Sequence, residues 1–283
     1  MQTALLYIKE SLKTQYSESE IQSLGYLLLQ YICKKDKHTL LRDKDKQLSA
    51  NETQNFHKFV EELKLHRPIQ YVLGSTEFYN LMFKVNESVL IPRPETEELV
   101  DLILGETNKT DEINILDIGT GSGCIAISLA KNLPAAKVFA VDVSEEALIV
   151  AADNVVANNV KITLLNENIL NLEPNSIIKN TKWDIIVSNP PYIVPSEKKI
   201  MKENVLDYEP NLALFVPEEQ PLLFYEAIAS LGLTSLSEKG KLYFETSAMF
   251  GKQTLDMLLQ KGYSAKLFQD ISGKDRMIKA YLQ

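Results

Sequence analysis

Two stretches of the chain hold residue types whose spacing could do chemistry. The first is Asn189-Pro190-Pro191-Tyr192, directly after the apolar run Trp183 to Ser188. Two prolines remove two backbone donors and fix φ, so a strand ending here cannot continue and its exit becomes a rigid shelf. The Asn189 side-chain carbonyl and the Pro190 backbone carbonyl can each accept a hydrogen bond from a planar NH2 group. Tyr192 can stack on the π face of that group. The shelf therefore suits a planar amide or amine as acceptor. A proline-rich strand exit with a capping Asn is the plainer reading of the same four residues.

The second stretch is Gly119-Thr120-Gly121-Ser122-Gly123, preceded by Asp117 and followed about twenty residues on by Asp142. Glycines between a strand and a helix let the backbone approach a ligand, and a carboxylate at the end of the next strand can grip ribose hydroxyls. A dinucleotide fingerprint would need glycine where Cys124 stands, so the pattern favours a nucleoside without a pyrophosphate. S-adenosyl-L-methionine is such a ligand. Asn168 and Ile169 then fall where the adenine would lie, the Asn to hydrogen-bond it and the Ile to make apolar contact. A turn role for Asn168 is the alternative.

These residues need a β-α-β frame, and the hydrophobic pattern supplies one. Strands are predicted at Ile113 to Asp117, Val138 to Val141, Ile162 to Leu165, Trp183 to Ser188 and Lys241 to Glu245. Helices lie between them: Ile125 to Leu133 halted by Pro134, one capped by Ser144 with Glu145 and Glu146 in its first turn, and others near Leu222 to Leu231 and Thr254 to Gln260. Ala265 to Phe268 and Met277 to Tyr281 are joined by too short a link for a helical crossover, so they form an antiparallel hairpin. The expected fold is α/β: a seven-stranded, Rossmann-like sheet with an antiparallel last strand. Residues 1–72 read as a small helical domain. There Ser17 with Glu20 has the form of a capping box, and a third helix is expected to start at Asn51 or the adjacent Glu52-Thr53. Residues 73–110 read as a hairpin, with Asn80 at its turn, and a linker; Pro92-Arg93-Pro94-Glu95 has the composition of a helix start. Residues 111–283 hold the sheet.

Bulk properties narrow the class. The chain has 283 residues, 45% hydrophobic and 24% charged, enough for two domains and a sizeable core. A net charge of −8 does not advertise an electrostatic grip on nucleic acid. Cys33 and Cys124 make no disulfide framework, consistent with a reducing compartment. With no signal peptide and no apolar run of membrane-spanning length, a cytoplasmic protein without membrane contact is expected. His38, His57 and His66 lack ligand spacing, and the stretch Asp43 to Gln47 departs from a calcium loop at Leu48 and Gln54, so it reads as a solvated loop and no metal is expected.

Asp117 to Gly123 together with Asn189 to Tyr192 resembles the class I methyltransferases that act on planar nitrogens. The stretches Gly74 to Tyr79, Ile91 to Glu97, Tyr208-Glu209-Pro210 and Gly273 to Arg276 make the chain similar, from about Arg67 onward, to the bacterial peptide chain release factor N5-glutamine methyltransferases. The resemblance implies methyl transfer from S-adenosyl-L-methionine to the glutamine of the Gly-Gly-Gln motif in class 1 release factors. It implies that Asn189, Pro190, Pro191 and Tyr192 bind that glutamine, and that Gly119 to Gly123, Asp142 and Asn189 meet the cofactor. Arg93 would line the cofactor side of the cleft, residues 1–72 would recognise the protein substrate, and a monomer is the expected state. Two departures stand out: Asn80 where the family usually has glycine, and Thr246, Ser247 and Phe250 after Glu245 where it usually has Ile, Gly and Gln.

An amide nitrogen is a poor nucleophile because its lone pair is delocalised. Accepting both of its N–H bonds, on Asn189 and Pro190, would orient it without a charged base. The competing reading is an N-methyltransferase of DNA or RNA bases, whose exocyclic amines are also planar NH2 groups but whose phosphate backbone demands basic residues. An NAD-dependent oxidoreductase and a non-catalytic binding module are weaker alternatives.

Overall fold

The computed structural model describes residues 1–282, which divide into two units. Unit one is Met1–Gly74 together with Lys202–Tyr208. Its helices are α1 (Gln2–Leu12), α2 (Glu18–Cys33), α3 (Lys37–Arg42), α4 (Ala50–Lys64) and α5 (Ile69–Leu73). Apolar faces at helical spacing, among them Ile8, Leu12, Leu28, Leu29, Phe56, Val60 and Leu63, close into one core. Gly25 lets α1 and α2 approach, since a Cβ there would lie 2.8 Å from Leu5 Cδ2. Tyr208 ties the second segment to the first by donating to the Leu65 carbonyl at 2.6 Å.

One local expectation needs correction. The third long helix, α4, starts ahead of Asn51: Ser49 is its N-cap and exchanges hydrogen bonds with Glu52 in a full capping box. The helical part closes on α5, which follows Pro68 and stops at Gly74 with φ 68°. In the loop that follows α3, Lys35 and Lys46 both pair with Asp43, at 2.9 and 3.1 Å.

Unit two, Ser75–Met201 and Glu209–Gln283, is built on two sheets. The hairpin β1 (Ser75–Phe78) and β2 (Leu81–Lys84) turns through Tyr79 and Asn80, both at positive φ, 50° and 57°. That is the primed turn which the twist of a two-residue hairpin requires. The main sheet contains β3 (Asn114–Ile118), β4 (Lys137–Asp142), β5 (Ile162–Asn166), β6 (Trp183–Ser188), β7 (Leu236–Glu245), β8 (Tyr263–Gln269) and β9 (Asp275–Leu282) in the order β5-β4-β3-β6-β7-β9-β8. All neighbours run parallel as far as β7, and β9 is antiparallel to both β7 and β8. The last strand is thus the reversed one, inserted inside the edge strand β8.

Period-two alternation assigns the two faces. Ile115, Val138, Ile185, Val187 and Tyr243 pack with α6 (Pro94–Leu104) and α7 (Cys124–Asn132) on one face, through Leu99, Val100, Ile127 and Leu129. Leu116, Ile118, Ile186, Leu242 and Phe244 pack on the other, with Tyr225 and Ile228 of the helix Leu223–Ser235 and Leu258 of the helix Gly251–Gln260. The chain leaves β3 toward β4 on one side and returns through β6 on the other. Such a switch point opens a crevice at the carboxyl ends of the two strands, where open α/β sheets bind ligands.

Candidate active site

One wall of the crevice is the loop between β3 and α7. Gly119, Gly121 and Gly123 all have positive φ, at 73°, 54° and 81°, a conformation that side-chain-bearing residues resist. A Cβ on Gly119 or Gly121 would meet no atom within 4 Å, so these glycines serve the backbone path and leave open space before it. The loop is pinned to β4, the Gly119 and Thr120 amides donating to the Val141 carbonyl at 2.8 and 3.0 Å. Asp117 holds it from beneath: Oδ2 accepts from Thr120 Oγ1 at 2.6 Å and from the Ala126 amide at 3.2 Å. Its Oδ1 is buried without a partner, and burial pushes this carboxyl up to about 7.

Asp142 ends β4 beside that loop. Oδ2 accepts from the Gly121 amide at 2.8 Å and Oδ1 from the Ser144 amide at 3.0 Å. Burial raises its pKa, against the pull of those backbone donors. Ser144 in turn caps α8 (Glu145–Ala157) by accepting from the Ala147 amide at 3.0 Å. Beyond β5, Asn168 turns the chain at the rim of the cavity. Its Oδ1 accepts from the Leu170 amide at 2.9 Å in a side-chain turn, and the residue also borders the cavity next to Ile169.

The facing wall follows β6. Ser188 Oγ donates to the Ile118 carbonyl at 2.6 Å and locks the ends of β6 and β3 together. Asn189 then projects toward α6, its Nδ2 lying 3.4 Å from Thr96 Oγ1, which is 2.6 Å from Glu245 Oε2. Burial pushes the Glu245 carboxyl up to about 7, although Thr96 and Arg276 favour its charged form. Arg93 precedes α6 and pairs with Glu209 at 2.5 Å. Pro94 occupies the first turn of α6, where a missing N–H costs nothing.

These walls enclose a cavity of about 300 Å³, at the small end of the range for ligand sites. Of the residues singled out in the sequence, Arg93, Gly119, Thr120, Gly121, Ser122, Asp142, Asn168, Ile169, Asn189, Pro190 and Pro191 line it. Gly123 and Tyr192 do not. Gly123 is the N-cap of α7, where a Cβ would stand 3.0 Å from Ile127 Cδ1. Tyr192 lies partly buried against the core, and that burial raises its pKa in spite of Arg276 and Arg93 nearby.

Sequence reasoning missed Thr96 and Glu245. Thr96 was visible only as part of a helix start, yet it stands on the turn that packs against the strand ends. At the departures after Glu245 the contacts are local: the Thr246 amide donates to the Arg276 carbonyl at 2.8 Å, and Ser247 Oγ accepts from the Phe250 amide at 3.2 Å just ahead of the next helix. Among the described residues, no helix is long and apolar enough to cross a membrane, and no cluster of His, Cys, Asp and Glu is placed to hold a metal ion.

Comparison with known proteins bears on this geometry. Residues 3–74 match the PrmC N-terminal domain, and residues 98–207 match the methyltransferase small domain. The chain is 47% identical over 274 residues to a release factor glutamine methyltransferase of Flavobacterium psychrophilum, with 95% of each chain covered. It is 45% identical to one of Bacteroides thetaiotaomicron, with 97% of each covered. A solved methyltransferase structure from Pyrococcus furiosus shares the fold, with TM-score 0.51 at 18% identity over 82% of this chain and 98% of that one.

Proposed function

The chain belongs to the release factor glutamine methyltransferases, and we propose that it transfers a methyl group from S-adenosyl-L-methionine to the side-chain amide of the Gly-Gly-Gln glutamine in class 1 peptide chain release factors. One observation carries the proposal: a glycine loop with a carboxylate beside it and an Asn-Pro-Pro shelf face each other across a single cavity. The residues fit that cofactor. The open space before Gly119 and Gly121 admits a ligand against the backbone, Asp142 offers a carboxylate for ribose hydroxyls, and Ile169 offers an apolar contact for adenine. The Asn168 NH2 group remains for a polar atom of the base, since its Oδ1 serves the turn. Gly123 supports the site indirectly, by starting α7 without crowding Ile127. When bound, the cofactor supplies an electrophilic methyl group on a sulfonium.

The rest of the task belongs to the protein. The glutamine amide must be held with its nitrogen aimed at the methyl and with both N–H bonds engaged. Asn189 Oδ1 and the Pro190 carbonyl are the acceptors for those bonds, and Pro191 keeps the shelf rigid. Tyr192, three residues after Asn189, closes the glutamine side by stacking on the amide plane. No strong base is needed, because an amide alkylated on nitrogen loses its proton readily. Orientation of this kind can contribute on the order of 7 kcal/mol or more. We further propose that the helical residues 1–72 recognise the release factor, and that the enzyme acts as a cytoplasmic monomer without nucleic acid or membrane partners.

The test is labelled transfer. Purified enzyme with methyl-labelled S-adenosyl-L-methionine should place one methyl on a class 1 release factor and none on the same factor with its Gly-Gly-Gln glutamine changed to Glu. Label appearing in DNA or ribosomal RNA, with none in the factor, would reject the proposal in favour of a base N-methyltransferase.

A further inference from the structure

Behind Asn189 stand two buried groups that the proposed transfer does not use. Glu245 ends β7, the strand beside β6, and Thr96 lies in the first turn of α6; each is 2% exposed. A carboxylate at that depth is costly to maintain, which calls for a reason beyond packing. The contacts supply one. Thr96 Oγ1 is 2.6 Å from Glu245 Oε2 and 3.4 Å from Asn189 Nδ2. Above about pH 7, where Glu245 is ionised, its carboxylate has lone pairs but no proton to give, so the single hydroxyl proton of Thr96 points to Glu245. The hydroxyl oxygen is then left as an acceptor, and the group it faces must be a donor. Only the NH2 end of the Asn189 amide qualifies.

The donor order Asn189 to Thr96 to Glu245 decides the polarity of the shelf. With Nδ2 engaged behind, Oδ1 is the end that remains for an acceptor substrate. An Asn189 amide turned by 180° would instead present NH2, and two NH2 groups facing each other make no hydrogen bond. We propose that Glu245 and Thr96 are positioning residues for methyl transfer, the buried carboxylate fixing through the threonine hydroxyl which end of the Asn189 amide meets the substrate. This rests on Asn189 binding the glutamine amide. It also makes the pair a determinant of specificity: a locked Oδ1 repels a carboxylate in place of the amide, whereas a free Asn189 can turn its NH2 toward one.

Two substitutions at Thr96 separate this role from packing. Thr96→Val keeps the shape and removes the hydroxyl; Thr96→Ser keeps the hydroxyl and removes a methyl. The transfer rate at saturating substrates should fall by roughly 30-fold or more in Thr96→Val and stay within about threefold of wild type in Thr96→Ser, given that one preorganised polar group is commonly worth 10²–10³. A packing role predicts the reverse order. A second readout needs no turnover: calorimetric affinity for the release factor with Gln or with Glu in its Gly-Gly-Gln motif, in the presence of S-adenosylhomocysteine. Wild type should prefer Gln by at least about tenfold, and Thr96→Val should narrow that preference to about threefold or less, as expected when a site loses a fixed polar contact. Glu245→Gln, which lets an NH2 group face Thr96, should narrow it too and serves if Thr96→Val folds poorly. Thr96→Val at wild-type rate and preference, with Asn189→Ala inactive, would overturn the relay and leave the role of Asn189 standing. Thr96→Ser as impaired as Thr96→Val would also overturn it. An active Asn189→Ala would instead remove the premise.

Discussion

Asp117 offers a direct test of what the cofactor loop costs the fold. Its side chain is fully buried at the end of β3, Oδ2 accepts two hydrogen bonds, and Oδ1 accepts none. Burial raises its carboxyl from 3.8 to about 7, with the neighbouring Asp142 charge adding to the rise. Between those two values the native state holds a proton that the unfolded state has released. Stability therefore falls as pH rises from about 4 to about 7, and levels off above. A rise of roughly three units corresponds to about 4 kcal/mol in all, at about 1.4 kcal/mol per unit. From pH 5 to 8, about 2–3 kcal/mol of that remains to be lost on the same scale. Glu245, raised from 4.5 to about 7 chiefly by burial, adds a loss of the same sign. Asp117→Asn deletes the first contribution, keeps an acceptor for Thr120 and Ala126, and places an NH2 group where the unpartnered oxygen stood. Urea unfolding at pH 5 and pH 8 should show the variant losing about 2–3 kcal/mol less stability than wild type across that interval, by the linkage relation. Equal losses in the two proteins would show that Asp117 is ionised in the native state throughout, and would refute the reasoning.

Three further perturbations follow from the same geometry. Asp142→Ala removes the acceptor of the Gly121 amide as well as the ribose partner, so S-adenosyl-L-methionine affinity by calorimetry should weaken by about 1.5–3 kcal/mol, the range for hydrogen bonds to a charged group; unchanged affinity would take Asp142 out of the site. Asn189→Ala should fold normally while methyl transfer falls at least ~10²-fold, and Asn189→Asp, which puts a charge beside the cofactor, should change its affinity as well as the rate; a fully active Asn189→Ala would disprove the shelf. Asn80→Gly, at φ 57° in the hairpin turn, should leave the melting temperature within an amount worth about 0.5 kcal/mol of wild type, since glycine takes positive φ without steric cost but loosens the unfolded chain, and the two effects oppose each other; a marked loss of stability would mean that the Asn80 side chain does more than turn the chain.

The frame was legible because its signals are local. Alternating buried positions, a proline-stopped strand and a serine cap each act within a few residues, and β3 to β6 fall within a residue or two of where the pattern puts them. The hairpin of β8 and β9 was forced by the shortness of its link, although its insertion beside β7 could not be read from spacing. Less legible were the pieces whose signal is weak at short range. The short α3 is stabilised by Asp36, which accepts from the Thr39 amide at 2.7 Å, and by its packing in the helical core through Leu40. α5 spans only five residues, too few for a periodic pattern to register.

The site divides along the same line. Glycines that need positive φ and prolines that end a strand declare themselves by residue type, because few other residues can take those backbone states. Thr96 and Glu245 declare nothing by type. A threonine in a first helical turn and a glutamate at a strand end are ordinary, and their contact spans 149 positions of sequence. What brings them together is the order of the sheet: β7 lies beside β6, and α6 packs on the same face as Tyr243, so the first turn of α6 stands over the ends of both strands. A group that reacts is betrayed by its chemistry, whereas a group that only orients another depends on tertiary placement. Asn189 could be found from the sequence, but the direction in which its amide points could not, since that depends on a proton held between two residues of other elements.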